Sequence, residues 1–189
     1  MKLTVVRHAE VEEKYIGKYN GHNDIGLSEK GKMQAQKLAK HFEKSSFDTL
    51  YCSDLQRARL TLEPFVQKGQ AIYTEALREK SWGRHEGLGF DEICSLEKQE
   101  YKDFNSWLEL LDGESIEEFL QRVESFFKRF IFAQKESNIL LITHAGVIRA
   151  LITILKNISY EESFSFAIPY GAYMEYDGEN IEIVTLFES

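Results

Sequence analysis

Residues 3–9 read LTVVRHA, and residues 140–146 read LLITHAG. Each stretch is an apolar run of strand length that ends abruptly at a histidine, His8 or His144, with small residues after it. In an open α/β sheet, ligands bind beyond the carboxyl ends of the strands, so histidines at two such ends can meet in one crevice. Arg7 adds a permanent positive charge, which binds phosphate or carboxylate through paired hydrogen bonds. One such histidine alone is as typical of a partly buried structural ring as of a functional site, but the pair favours an anion-binding site.

Composition bounds the class of protein. The 189 residues are 43% apolar and 13% aromatic, which predicts one domain over 1–189, with a helical cap segment at about 88–112. The net charge of −8 argues against nucleic-acid and membrane partners, since both need an extended positive surface. Cys52 and Cys94 lack CxxC spacing, and the first apolar run is too short for a signal peptide, so we expect a cytoplasmic protein. A monomer or a homodimer is expected.

Apolar runs of strand length alternate with amphipathic stretches along the chain. Strands are expected at 3–6, 47–52, 71–73 and 139–143, with a terminal hairpin at 172–176 and 181–187. Helices are expected after Ser28, after Ser53, over 90–111, from the capping box at Ser115 to Ile131, and over 146–156. This order predicts a three-layer α/β/α sandwich with a mainly parallel sheet and an antiparallel edge.

The residues able to do chemistry follow the predicted strands. Arg7 and His8 follow the first, Arg57 the second, Glu79 the third and His144 the fourth. Two arginines and two histidines would hold the oxygens of a phosphoryl group while one imidazole attacks phosphorus and a carboxylic acid protonates the leaving oxygen. No metal or cofactor is expected, because the cations supply the charge stabilisation. Taken singly, Arg57 and Glu79 are more typical of solvated surface charges than of a site, and only the other motifs favour a functional role for them.

Five stretches carry a resemblance to one family. VRHAE at 6–10 resembles the Arg-His-Gly signature of the histidine phosphatase superfamily, in its phosphoglycerate-mutase-like branch. Four further stretches resemble other motifs of that family in the same order: YNGHNDIGLS at 19–28, SDLQRARLT at 53–61, the loop at 77–87 and THAGVIR at 143–149. The resemblance spans nearly the whole chain and implies a phosphoglycerate-mutase-like fold.

The resemblance also implies a role for each site residue. His8 becomes the nucleophile that carries phosphohistidine, Arg7, Arg57 and His144 form the phosphate clamp, and Glu79 acts as general acid and then base. The outer binding residues are expected to be Lys14, Lys18, Asn20, Gly21, His22 and Ala145.

The chain departs from the family pattern at several positions. Ala9 and Ala145 stand where glycine is commoner, and Lys14 and Lys18 stand where the family has asparagine and arginine. Lysine binds phosphate as a point charge but lacks the paired donor and acceptor of an amide. The role of these two outer binding residues, which we call the outer clamp, is therefore less well defined. The sequence leaves open whether His22 and His85 line the substrate mouth.

Three functions remain open, in a definite order. Related mutases carry an insertion that shields phosphohistidine from water, whereas the stretch from Glu79 to His144 is compact here. A phosphatase acting on a small phosphorylated metabolite is therefore expected first and a phosphoglycerate-mutase-type phosphotransferase second. The loop at 15–24 is similar to that of alpha-ribazole phosphatases of cobalamin synthesis, which makes alpha-ribazole 5'-phosphate a candidate substrate. A non-catalytic phosphate-binding regulatory protein is expected least, because no catalytic residue is missing.

Overall fold

A six-stranded sheet forms the centre of the computed structural model, which describes residues 1–134 and 137–187. The strands are β1 Lys2–Arg7, β2 Thr49–Ser53, β3 Ala71–Thr74, β4 Asn138–Thr143, β5 Tyr173–Tyr176 and β6 Ile181–Val184. They lie in the order β3-β2-β4-β1-β5-β6. The pairings among β1 to β4 are parallel, and β5 and β6 add an antiparallel edge. The predicted sheet is thus confirmed.

The two central strands set the position of the histidines. β1 and β4 are parallel neighbours whose register pairs Val6 with Ile142 and Arg7 with Thr143. The backbone N–H of His8 then donates to the Thr143 carbonyl oxygen over 2.8 Å. His8 and His144 therefore leave adjacent strands at the same edge of the sheet, as their placement after two parallel strands predicts.

Helices cover both faces of the sheet. The helices on its faces are α1 Glu29–His41, α2 Gln56–Leu62, α5 Ile116–Phe126 and α6 Ala145–Lys156, whereas α3 Phe90–Glu97 and α4 Phe104–Leu110 pack in a separate cluster within the cap segment. Val5 and Leu141 pack on the face shared with α5 and α6, and Val6 and Ile142 pack on the opposite face with α1 and α2. This alternation of side chains along buried strands produces the three predicted layers. Within the described ranges, no helix is long and apolar enough to cross a membrane.

Two predicted helices differ from the observed ones. The helical segment expected over 90–111 is divided into two helices: Lys98 adopts a left-handed backbone conformation, with φ 53°, that ends α3, and the Asp103 side chain caps a separate α4 by accepting from the Ser106 N–H. The helix expected from Ser115 begins at that capping box but continues beyond α5 as a π-helix at Phe127–Ile131. Phe130 lies in this π-helix and is exposed.

Candidate active site

At the end of β1, His8 has one ring nitrogen that bonds to no other group in the described part of the chain. Its Nδ1 lies 2.8 Å from the carbonyl oxygen of Ala9, and because a carbonyl only accepts, Nδ1 carries the proton and Nε2 keeps its lone pair. Burial, followed by the positive charges of Arg57 and Arg7, holds the pKa of His8 well below its usual value. The ring is therefore an uncharged imidazole at neutral pH, which is the form that acts as a nucleophile.

His144 lies beside it, fully buried in front of α6. The centroids of the two imidazole rings are 5.1 Å apart. Its Nε2 is 2.8 Å from the hydroxyl of Ser53, at the end of β2, whereas Nδ1 is buried with no hydrogen-bond partner among the described residues. A Ser53 hydroxyl that donates to Nε2 leaves the proton on Nδ1, where it can bind an oxygen of a ligand. Burial and the charge of Arg57 hold the pKa of His144 well below its usual value.

Arg57 is buried at the start of α2, with only 1% of its surface exposed. Its Nη1 donates to the carbonyl oxygen of Asn23 over 2.7 Å, and its Nη2 donates to that of Gly21 over 2.6 Å. Burial lowers the pKa of Arg57 to about 10, so the guanidinium stays charged at neutral pH. The loop at 19–28 therefore fixes the orientation of a buried cation that has no carboxylate hydrogen-bonded to it in the described chain.

Arg7 is held in a similar way on the other side of His8. Its Nη1 donates to the carbonyl oxygen of Ile168 over 2.6 Å, and its guanidinium lies 3.9 Å from the centroid of the Tyr170 ring. Its Nε, like Nδ1 of His144, is buried and has no partner among residues 1–134 and 137–187. A buried donor without a partner is costly, and a bound anion would satisfy both.

Glu79 comes from the loop after β3 and points at the N-terminus of α6. Its Oε2 accepts from the backbone N–H of Gly146 and its Oε1 from that of Lys80, both over 3.0 Å. A Cβ at Gly146 would lie only 2.0 Å from Oε1, so this glycine is required by the close approach of the carboxylate. The loop carboxylate and the second histidine motif thus meet at one place, as predicted from sequence.

Arg7, His8, Arg57 and Glu79 line a cavity of about 250 Å³, and together with His144, whose ring centroid is 5.1 Å from that of His8, they form what we call its inner end. Its polar and small lining residues are Arg7, His8, Lys18, Asn20, Gly21, Arg57, Glu79, Ala145, Gly146 and Arg149. Its aromatic and aliphatic lining residues are Tyr19, Trp82, Phe104, Trp107, Leu108, Tyr160, Phe164 and Tyr170. The cavity therefore combines a cationic inner end with an outer wall made of aromatic rings.

Two predicted binding residues lie away from this lining. Lys14 is exposed on a short 3-10 turn and pairs with Glu12 over 3.4 Å, so it lies outside the cavity lining, and its binding role stays a prediction. His22 lies behind the wall, where its Nε2 donates to the carbonyl oxygen of Glu79 over 3.0 Å. The other outer residues, Lys18, Asn20, Gly21 and Ala145, do line the cavity.

His85, which the sequence left open, is a fully buried link within the cap segment. Its Nδ1 accepts from the backbone N–H of Asp112 over 3.0 Å, and its Nε2 donates to the carboxylate of Glu97 over 2.7 Å. These two bonds join the loop at 77–87 to the ends of α3 and α4. Its contacts make it a structural histidine.

Sequence reasoning missed most of the outer wall. Arg149, the last residue of the motif at 143–149, lines the cavity, with its guanidinium 4.1 Å from the centroid of the Phe164 ring. Its Nη1 donates to the carbonyl oxygens of Ser163 and Phe166. Phe104, on α4, contacts the same Phe164 ring edge to face. Aromatic residues in these stretches are as typical of core as of a binding wall, so no pattern in the sequence separates the two.

Metal-ligating residues show no clustering in the described ranges. Within them, no group of three or more histidine, cysteine, aspartate or glutamate side chains could hold a metal ion. The charged groups around His8 are instead the two arginines, Arg7 and Arg57.

Comparisons with known proteins point to one family. Residues 3–188 match the family model of the histidine phosphatase superfamily (branch 1). The chain is 31% identical over 183 residues to adenosylcobalamin/alpha-ribazole phosphatase of Escherichia coli K12, covering 94% of this chain and 90% of the relative. It is 30% identical over 181 residues to phosphoserine phosphatase 1 of Hydrogenobacter thermophilus, covering 92% and 84%. The crystal structure of alpha-ribazole phosphatase from Shigella flexneri superposes with a TM-score of 0.83 at 28% identity, covering 98% and 96%.

Proposed function

Because the chain belongs to the histidine phosphatase superfamily (branch 1), we propose that it hydrolyses phosphomonoesters through a phosphohistidine formed on His8. The observation that carries this proposal is the state of the His8 ring. It is uncharged, its Nε2 is free, and Arg7 and Arg57 lie close enough to lower its pKa. A neutral nucleophile between two permanent cations suits attack on a phosphate dianion.

In the first step the lone pair of His8 Nε2 attacks phosphorus, and the bond from phosphorus to the ester oxygen breaks. Arg7, Arg57 and Nδ1 of His144 bind the non-bridging oxygens, on which negative charge is held in the transition state. Glu79 donates its proton to the leaving oxygen, so the product departs as a neutral alcohol. The proton and the electron pair thus both end on the leaving group.

In the second step water attacks the phosphohistidine from the side that the alcohol has left. Glu79, now a carboxylate, accepts a proton from that water, and the bond from nitrogen to phosphorus breaks. Inorganic phosphate is released and His8 regains its lone pair. Two fixed guanidinium groups supply the charge stabilisation that a metal ion supplies elsewhere, so we propose that turnover is metal-independent.

For the substrate we propose an ester whose alcohol carries a flat apolar ring, with alpha-ribazole 5'-phosphate as the specific candidate. Rings that line the cavity beyond the phosphate groups support this, among them Tyr19, Trp82 and Phe164. A benzimidazole ring can stack against such a wall, whereas the small polar alcohol of phosphoserine or 3-phosphoglycerate would leave most of it unoccupied. The relatives named for alpha-ribazole agree with this choice.

A panel of phosphomonoesters assayed with and without chelator tests the proposal. We expect alpha-ribazole 5'-phosphate to give a higher kcat/KM than phosphoserine or 3-phosphoglycerate, with equal rates in EDTA and one phosphate released per ester consumed. Conversion of 3-phosphoglycerate to its isomer without phosphate release would indicate the mutase alternative. Restoration of activity by Mg²⁺ after chelation would contradict the mechanism. Phosphate binding with no turnover of any ester would indicate a regulatory protein.

A further inference from the structure

Arg122, on α5 and outside the cavity, binds the backbone of the loop that carries Glu79. Its Nη1 donates to the carbonyl oxygens of Ala76 and Arg78, over 2.9 and 3.0 Å. Its Nη2 donates to the carbonyl oxygen of Glu79 over 3.3 Å. One planar guanidinium therefore contacts three carbonyls within four consecutive residues of the chain, including that of the proposed acid.

The remaining donors of Arg122 hold the guanidinium itself in place. Its Nε donates to Oε1 of Glu114 over 2.8 Å, and its Nη2 donates to Oε2 over 2.7 Å, in a bidentate pair that is mostly buried. An arginine has five N–H donors, and all five are used here. Bidentate pairing and the use of every donor fix the orientation of the guanidinium plane.

The start of α5 holds the same loop from the other side of Glu79. The backbone N–H of Glu114 donates to the Ser81 carbonyl oxygen over 3.2 Å, and its carboxylate accepts from the Ser81 N–H over 3.4 Å. A Cβ at Gly113 would lie 2.6 Å from both the Ser81 oxygen and the Gly83 nitrogen. The loop that carries Glu79 therefore packs directly against the backbone of residues 113–114, just before α5.

Helix α5 is a rigid support for these contacts, because Phe119 and Val123 on its inner face are fully buried in the core. We propose that Arg122 is a positioning residue that aims the Glu79 carboxylate at the leaving oxygen. This inference rests on the proposed function of Glu79 as general acid. His22 supplies a further donor to the Glu79 carbonyl oxygen, whereas Arg122 also binds the carbonyl oxygens of Ala76 and Arg78.

The experiment compares Arg122→Ala with the wild-type protein on an alkyl phosphate and on p-nitrophenyl phosphate. A displaced acid slows only esters whose leaving group needs a proton, so we expect kcat/KM to fall on the order of tenfold to a hundredfold for the alkyl ester and much less for the nitrophenyl ester. Arg122→Lys should recover part of the loss, because lysine keeps the charge but has three donors and no fork. Arg129→Ala, at an exposed arginine seven residues further on, is the matched control and should change neither rate.

The double variant Glu79→Gln/Arg122→Ala separates positioning from general support of the fold. If Arg122 acts through Glu79, removing it in the Glu79→Gln background should cost nothing further on the alkyl ester. Equal losses on both esters, or additive losses in the double variant, would overturn the proposal. A wild-type protein that hydrolyses neither ester would instead overturn the proposed function. If Arg122→Ala fails to fold, Arg122→Lys alone must show a larger loss on the alkyl ester than on the nitrophenyl ester.

Discussion

The inner end of the cavity and its outer wall differ in how their side chains are held. At the inner end, His8, Arg57 and His144 are buried, and each is fixed by a backbone carbonyl or a hydroxyl that follows from the parallel strands and the loops beside them. The outer wall is assembled from aromatic rings on separate segments, with Phe104 on α4 and Phe164 near the C-terminal side of α6. The inner end contacts the phosphate group, which all phosphomonoesters share. The outer wall contacts the alcohol portion, which differs between esters.

The largest effect should come from removing the nucleophile. His8→Ala eliminates the two-step route, and we expect turnover to fall on the order of 10⁴-fold or more for every ester, because the ring nitrogen proposed to carry the phosphoryl group is lost. His41→Ala, at an exposed histidine of α1, is the control. Acid-labile phosphate trapped on the wild-type protein and absent from His8→Ala would support the role. Comparable turnover in both would place the nucleophile elsewhere.

Glu79→Gln should have the next largest effect, and it should depend on the leaving group. The amide keeps the size of the side chain but cannot donate a proton as an acid, so we expect a loss of about a hundredfold on alkyl phosphates. The loss on p-nitrophenyl phosphate should be much smaller, because its phenolate leaves unaided. Steady-state kinetics under conditions where phosphoenzyme formation limits the rate would show the difference. Equal losses on both esters would remove Glu79 from the acid role and direct attention to Glu10, Glu86 or a water.

The sequence locates Arg7 and the two histidines of the inner end because each stands directly at a strand end. Arg7, His8 and His144 follow apolar runs whose parallel pairing leaves little freedom in where they meet. Lys14 shows the limit of this reasoning, since its position depends on the path of an irregular loop that no periodicity fixes. Phe164 shows another, because packing across the chain decides whether an aromatic ring is core or cavity wall. The break between α3 and α4 likewise depends on one left-handed residue, Lys98, for which the sequence carries no glycine signal.

The two buried, uncharged histidines should make the inner end sensitive to acid. In the unfolded chain both would take up a proton near pH 6.5, but the folded pKa values of His8 and His144 are much lower, so stability is complete above pH 6.5 and is lost as the pH falls below it. Each histidine contributes about 1.4 kcal/mol per pH unit in that window. Urea unfolding at several pH values between 7 and 5 would measure the slope, and His144→Gln should roughly halve it. A flat profile would show that the rings are protonated in the folded protein.

The outer wall should affect selection between esters more than catalysis. Phe164 lines the cavity but is 49% exposed, so Phe164→Ala can remove a stacking surface without opening the core. We expect KM for a benzimidazole-bearing ester to rise about threefold to tenfold, as the loss of one aromatic pair implies. KM for phosphoserine should be unchanged. Phe130→Ala, at an exposed phenylalanine outside the cavity lining, is the control. An equal rise for both esters would mean that the wall does not discriminate.

The smallest expected effect is a change in KM, and it should differ between Lys14 and Lys18, which the sequence predicts as outer binding residues of the same loop. Lys18 lines the cavity and pairs with Glu92 over 3.2 Å, whereas Lys14 is exposed and pairs with Glu12 outside it. A partly exposed lysine attracts an anion through water and salt, so Lys18→Ala should raise KM by about twofold to fivefold, and less at high ionic strength. Lys14→Ala removes the same charge from the same loop and should leave KM unchanged. If both variants raised KM equally, the loop would act through its net charge alone, and the cavity would have no defined outer contact with the phosphate.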